Sequence, residues 1–450
     1  MSPLLPQQIT LENYKPFRQP TTLHLRPLTL CYGPNNAGKS AALRVLRLLA
    51  DSTERDLPAG LNLRSATLHG ANFRDLIHKS LRVDDDAPPR RDFAFTLTWP
   101  PEAPLQSLRL TFYADPNPGP TAPPLIIREL HAQLQDGRAV TLLHTPSPAR
   151  PDNSRAYRVS TKAETGATAP EVWLRFEGIC PTLPDGLDAT TTEALLHTAT
   201  QLTWLRRGID WLRTNRVTLE RTRLLPIERP DRFATDGSNA ADYLVTQPAT
   251  LEACRTFFDA HLQRRLTLQP IPIPGEERFR VLLGALAAGS AEPRDTDLVD
   301  SGEGAIHLLP TLVALERLRN PDLHTPFPFA LLLEEPETHL HPTLQRHLAT
   351  HLADTAAQLG DRRLIIETHS EHILLGVRLQ IARGRLRPEH VALHWVHTFE
   401  AGEAHLGLAE LDGKGNLSGG WPFGAFEDLD QVARELTELQ WEEDHARHAG

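Results

Sequence analysis

The hydrophobic pattern changes character three times along the chain. The first thirty residues read as short strands, Ile9 to Leu11, Thr22 to Leu25 and Leu28 to Tyr32, broken by Pro16, Pro20 and Pro27. The run SAALRVLRLLA repeats Leu43, Leu46, Leu49 and Ala50 at helical spacing, which predicts a helix opening after a glycine turn. From about Asp92 to Phe176 the text becomes strands such as FAFTLTW, LRLTFYA and VWLRF, separated by proline-rich turns. Residues 190–223 read as helical. From about Thr296 to Phe399, helical stretches (LLPTLVALERL, TLQRHLATHLADTAAQL) alternate with buried-strand runs (FALLLEE, RRLIIETH, VALHWVHTF), the rhythm of a partly parallel α/β sheet. The tail from Glu427 sets Leu429, Val432, Leu436 and Leu439 on one face and predicts a closing acidic helix. No fixed-period repeat and no sustained heptads are present.

A chain of 450 residues exceeds the usual single-core size, which predicts two lobes or one large α/β domain with insertions. No stretch approaches eighteen uninterrupted apolar residues, and the N-terminus lacks the basic head and apolar run of a secretory signal, so the expected location is the cytoplasm. Cys31, Cys180 and Cys254 form neither a disulfide framework nor a C-x-x-C pair. A formal net charge of −10 argues against whole-surface attraction to nucleic acid but leaves room for a local basic stripe. One candidate runs from Trp204 to Arg223. It carries Arg206, Arg207, Arg213, Arg216, Arg221 and Arg223 against Asp210 and Glu220, with Trp204 and Trp211 interleaved. Such arginines can meet phosphates and such tryptophans can stack on bases; the same pattern also suits a helix core with a solvated face.

The sharpest chemical signal is Gly33-Pro34-Asn35-Asn36-Ala37-Gly38-Lys39-Ser40. It fits G-x-x-x-x-G-K-[ST] between an apolar strand and an amphipathic helix. Glycines let successive N–H groups curl toward phosphate oxygens, and the helix adds its positive end. Lys39 is placed to reach the β- and γ-phosphates of ATP, and Ser40 to ligate Mg²⁺. Downstream, Leu331-Leu332-Leu333-Glu334-Glu335-Pro336-Glu337 is a buried strand that presents two carboxylates. Glu334 reads as the Mg²⁺-associated acid and Glu335 as the base that orients or deprotonates the attacking water. A further buried strand ends in Thr368-His369-Ser370. There His369 can sense the γ-phosphate, while the alternative is a polar cap on the next helix through Ser370 and Glu371. His339, His341 and His372 lack a carboxylate at helical ligand spacing and read as core or turn histidines.

Taken together, Gly33 to Ser40, Ser301 to Gly304, LLLEEPETHLHP and ETHS resemble the ABC-type ATPase heads of the SMC, RecF and OLD (overcoming lysogenization defect) group. EEPETHLHP and the turn Gly419-Gly420-Trp421-Pro422 are closest to stand-alone bacterial OLD-like ATPases. The resemblance covers about the first 80 residues and residues 296–400. It implies an α/β ABC-type P-loop ATPase head in two lobes with a β-rich and helical insertion. The corresponding division is an N-terminal lobe with a β-rich extension over 1–180, a helical insertion over 181–295, a C-terminal lobe over 296–424 and an acidic helix over 425–450. It also implies an ATP-dependent head-to-tail homodimer, or a higher oligomer, holding ATP between one subunit's phosphate loop and the other's Ser301, Gly302 and Gly304.

The signature DSGEG departs from the family pattern. Either Ser301-Gly302 is the signature pair, or Glu303 replaces a serine between Gly302 and Gly304 and puts a like charge near the γ-phosphate. No glutamine stands in HGANFRDLIHK, where Asn72 or His69 would have to serve in its place. The 260 or so residues between the half-sites carry no heptads for a long coiled arm, and the stretch VALHWVHTFEAGEAHLGLAELDGKGN after His369 reads as a strand pair with no D-x-D, which argues against a nuclease domain. The functions implied are an ATP-hydrolysing switch that controls an effector or senses nucleic acid in antiphage defence, a RecF-like DNA-binding repair ATPase, or a scaffold that binds ATP without turnover.

Overall fold

The computed structural model describes residues 4–54, 56–79, 92–114, 125–146, 150, 152–161, 170–217, 219–285, 295–320, 330–399, 402–419 and 421–422. The acidic tail read as a helix over 425–450 lies outside them.

A seven-stranded sheet forms the centre, in the order Ile209–Leu212, Ala330–Glu334, Arg363–Glu367, Leu28–Tyr32, Val391–Thr398, Ala404–Leu411, Leu417–Ser418. Its first five strands are parallel and the last two turn back antiparallel. Because side chains alternate across a strand, each central strand feeds two cores. Ala330, Leu332 and Ile365 face one, and Leu331, Leu333, Leu364 and Ile366 face the other. Both faces being buried explains why these strands read as unbroken apolar runs.

The first core lies between this sheet and an eight-stranded antiparallel sheet, ordered Thr21–His24, Gln8–Glu12, Asp92–Thr98, Leu105–Ala114, Leu125–Leu134, Ala139–His144, Arg155–Thr161, Glu171–Leu174. The helix Lys39–Asp51 is sandwiched there and buries Leu43, Leu46 and Leu49. The second core is covered by the helices Ala240–Thr246, Pro248–Leu262, Glu303–Arg319, Pro342–Ala356 and Glu371–Ala382.

Residues 181–295 are not a purely helical insertion. The helix Ala189–Gly208 runs directly into Ile209–Leu212, the edge strand of the central sheet. All four residues of that strand are buried, so it shows no alternation to distinguish it from the helix before it. A hairpin of Arg264–Ile273 with Glu276–Ala285 adds a small antiparallel sheet. No helix among the described residues is long and apolar enough to cross a membrane.

His394 shows what the central sheet demands of a titratable group. It is fully buried, and its Nε2 accepts the backbone N–H of His24 at 3.1 Å. Burial holds its imidazole down to about 4. Between pH 6.5 and 4 the unfolded chain therefore takes a proton that the native chain refuses, so stability is lost as pH falls through that window. A shift of this size is worth up to about 3 kcal/mol. In chemical denaturation at pH 7 and pH 4.5, His394→Gln is expected to lose less stability on acidification than wild type. Equal losses would show that this imidazole is not the sensor.

Candidate active site

The ends of three adjacent parallel strands, Leu28–Tyr32, Arg363–Glu367 and Ala330–Glu334, bring the candidate residues together. After Tyr32 the chain turns through Gly33 at φ 145° and Asn36 at φ 62°, then enters the helix through Gly38 at φ 109°. A Cβ on Gly38 would lie 2.5 Å from Pro16 Cγ, so both conformation and space call for glycine. Gly38 caps the helix without a side chain, which leaves the first-turn N–H groups open to an anion. Lys39 is buried, and its Nζ donates to Gly33 O at 3.0 Å and Pro34 O at 2.8 Å. Burial lowers its affinity for the proton, against the pull of Glu367, Cys31 and Glu335.

Ser40 Oγ donates to Glu367 Oε1 at 2.8 Å, so Ser40 meets the strand of His369 and not Glu334. Glu334 is otherwise engaged. Arg44, one helical turn beyond Ser40, donates Nε to Oε1 at 2.6 Å and a terminal nitrogen to Oε2 at 2.7 Å, and Trp211 Nε1 donates to Oε1 at 2.9 Å. Both oxygens of Glu334, the acid expected beside Mg²⁺, accept from protein donors. Glu367 fits the cation better. It is 5% exposed, its Oε2 has no hydrogen-bond partner, and burial, reinforced by Glu334, pushes its carboxyl up to about 7.

Glu335 stands at φ 43°, outside the strand geometry, with its N–H bonded to Glu367 O at 2.8 Å. Its carboxylate lies 4.0 Å from His369 Nε2. Burial and the Lys39 charge lower the imidazole's proton affinity and Glu335 raises it, with a net downward shift. Glu337 locks the histidine in place: its Oε1 accepts Thr368 Oγ1 at 2.6 Å and the His369 N–H at 2.8 Å. Ser370 caps the helix Glu371–Ala382 by accepting the Ile373 N–H, so the capping reading holds for Ser370.

Folding divides the arginine stripe between the surface and the interior. Arg216 is buried, with its guanidinium donating to His307 O at 3.1 Å, Glu334 O at 3.2 Å and Glu335 O at 3.5 Å. Burial lowers its pKa to about 10. Arg221 and Arg223 are paired with Asp300 and Asp242, and Trp211 is buried beside Glu334. Of the residues proposed for DNA contact, Arg207 is exposed, Arg206 and Arg213 are half-buried, and Arg216 is a prop for the carboxylate turn.

Ser301 and Gly302 lead into the helix Glu303–Arg319, capped by Gly302, and line an open cleft with Gly304, His339 and His341. Glu303 Oε2 lies 2.9 Å from His339 Nδ1. His341 caps the helix Pro342–Ala356 by accepting the Thr343 N–H. In the segment lacking a glutamine, Asn72 is spent on capping a short 3₁₀ turn, whereas His69 Nε2 lies 2.6 Å from an Arg44 terminal nitrogen.

Residues 272–374 match the family described as the AAA ATPase domain. No curated protein matches the chain. Solved structures similar to it include the SMC head domain from Thermotoga maritima (10% identity, 90% of this chain and 98% of that one, TM-score 0.40). Another is an Smc head bound to the C-winged helix domain of ScpA (10%, 91% and 98%, TM-score 0.46). A third is an Smc head with an extended coiled coil, bound to the C-terminal domain of ScpA derived from Pyrococcus furiosus (10%, 98% and 100%, TM-score 0.44). The phosphate loop at the end of a parallel strand gives an α/β P-loop fold, and the match to the AAA ATPase domain is confined to residues 272–374, which hold the neighbouring strands Ala330–Glu334 and Arg363–Glu367.

The Arg44–Glu334 pair is testable by stability. Removing one partner leaves a buried charge uncompensated, at a cost of about 3 kcal/mol. Arg44→Met is expected to lower urea-unfolding stability by that order, and Arg44→Met/Glu334→Gln to recover most of it. An Arg44→Met protein as stable as wild type would show the pair to be incidental.

Proposed function

We propose that the chain is an ATP-hydrolysing switch, OLD-like in kind, that works as a head-to-tail homodimer and controls a separate effector protein in bacterial antiphage defence. What carries the reading is one juxtaposition. The Lys39–Ser40 cradle faces Glu367, Glu335 and His369 across adjoining strand ends.

Each residue's part follows from its placement. The open N–H groups of the helix Lys39–Asp51 and the loop through Asn35, Asn36, Ala37 and Gly38 bind the phosphates. Lys39, now bonded to its own loop carbonyls, exchanges them for phosphate oxygens. Ser40 and Glu367 hold Mg²⁺, whose chemistry when bound is neutralisation of phosphate charge. Glu335 takes the proton of the attacking water, and His369 hydrogen-bonds the γ-phosphate. Glu334 acts through Arg44, tying the carboxylate turn to the phosphate-loop helix. Ser301, Gly302 and Gly304 close the site of the partner copy, and the Glu303 carboxylate turns toward His339 of its own chain.

Direct DNA binding is the weaker alternative, since Arg216 is buried under the carboxylate turn and Arg221 and Arg223 are paired with Asp300 and Asp242. A scaffold that binds ATP without turnover is the remaining one.

General-base removal costs about 10²–10⁴-fold. Glu335→Gln is therefore expected to slow phosphate release at least ~100-fold while ATP-bound dimer accumulates, read by light scattering on the same samples. Unchanged turnover in Glu335→Gln refutes the base assignment. Wild-type protein that binds ATP but releases no phosphate favours the scaffold.

A further inference from the structure

Glu335, Glu367 and His369 each offer one ligand atom, and the three atoms all lie within 4.8 Å of one another. Among the described residues no other trio of histidine, cysteine or acidic side chains does so. Glu367 Oε2 is buried and has no hydrogen-bond partner, an expensive state for a carboxylate oxygen unless something binds there. The backbone under the trio is fixed. Glu335 N–H is bonded to Glu367 O, and the His369 N–H to Glu337.

The donor set has a chemical preference. One imidazole nitrogen with two carboxylate oxygens suits Zn²⁺, Co²⁺ or Mn²⁺, whereas Mg²⁺ takes oxygen and keeps its water. Two ligands at ~2.1 Å from one ion stand at most ~4.2 Å apart. The 4.0 Å between His369 Nε2 and Glu335 Oε1 already meets that limit. Small side-chain rotations bring in any wider pair, and three protein ligands leave a position open to water.

We propose that Glu335, Glu367 and His369 form a protein-held site for a nitrogen-accepting divalent cation, of the Zn²⁺ or Co²⁺ class, that fills without nucleotide. Occupancy withdraws the water-activating carboxylate and the phosphate-sensing imidazole together, so the loaded chain is held out of turnover. The site shares residues with the ATPase reading, but metal binding requires no hydrolysis.

The test is titration of the nucleotide-free full chain with Co²⁺ alone, followed by its visible d–d absorption. Wild type is expected to take one Co²⁺ per chain. Glu367→Gln and His369→Gln should each weaken binding about tenfold or more and change the band. Lys39→Met, which removes the Nζ bonded to the carbonyls of Gly33 and Pro34, should keep the cobalt site while losing affinity for ATP. His369 is 38% exposed, so His369→Gln remains a fair test if Glu367→Gln fails to fold. No cobalt taken up by wild type, or wild-type affinity in both variants, overturns the proposal. Wild type that takes no cobalt yet releases phosphate overturns this proposal alone; one that binds cobalt but, assayed with Mg²⁺ and no cobalt, never turns over ATP overturns only the ATPase reading.

Discussion

A carboxylate is buried at the end of a central parallel strand, and the surrounding site is arranged to neutralise it. Glu334 is 2% exposed, in a place where an unpaired charge would cost several kcal/mol. Arg44 supplies the compensating charge in bidentate form, and Trp211 supplies a third hydrogen bond. These two donors come from the helix after the phosphate loop and from the edge strand Ile209–Leu212. One electrostatic requirement therefore fixes the spacing of the helix, the carboxylate strand and its outer neighbour.

The turn that follows is held mainly through its backbone. Glu335 and His339 both occupy positive φ, an uncommon and costly conformation for residues with side chains. Arg216 gathers the carbonyls of Glu334 and Glu335 with that of His307, from the helix that starts at Glu303. Glu337 reaches the other way and grips the loop of His369. The carboxylate turn is thus bolted to both the signature helix and the histidine loop, which lets a change at either one re-aim Glu335.

Elements with a strong local signature were legible. The glycine spacing, the strand before it and the amphipathic helix after it identify the phosphate loop because that geometry is built from neighbours in sequence. The apolar runs at 331–333 and 364–366 likewise announce strands buried on both faces. Pairings across the fold were hidden. Nothing local says that Arg44 meets Glu334 across 290 positions or that Ser40 meets Glu367 across 327. A charged residue ending an otherwise apolar strand was the available hint for Glu367. The extent of the helix was not legible because charge patterning along a helix says nothing of where it stops, and this one stops at Gly208.

The close approach at Gly38 reaches beyond the nucleotide. Pro16 and Phe17, in the bend between the first two strands of the antiparallel sheet, lie 2.5 Å and 3.3 Å from where a Cβ on Gly38 would stand, and Pro16 O accepts the N–H of Ala404. The bend therefore serves as the outer wall of the phosphate loop. An engineer grafting this antiparallel sheet onto another head, or exchanging it for a relative's, would have to carry positions 16, 17 and 38 together as one heritable block.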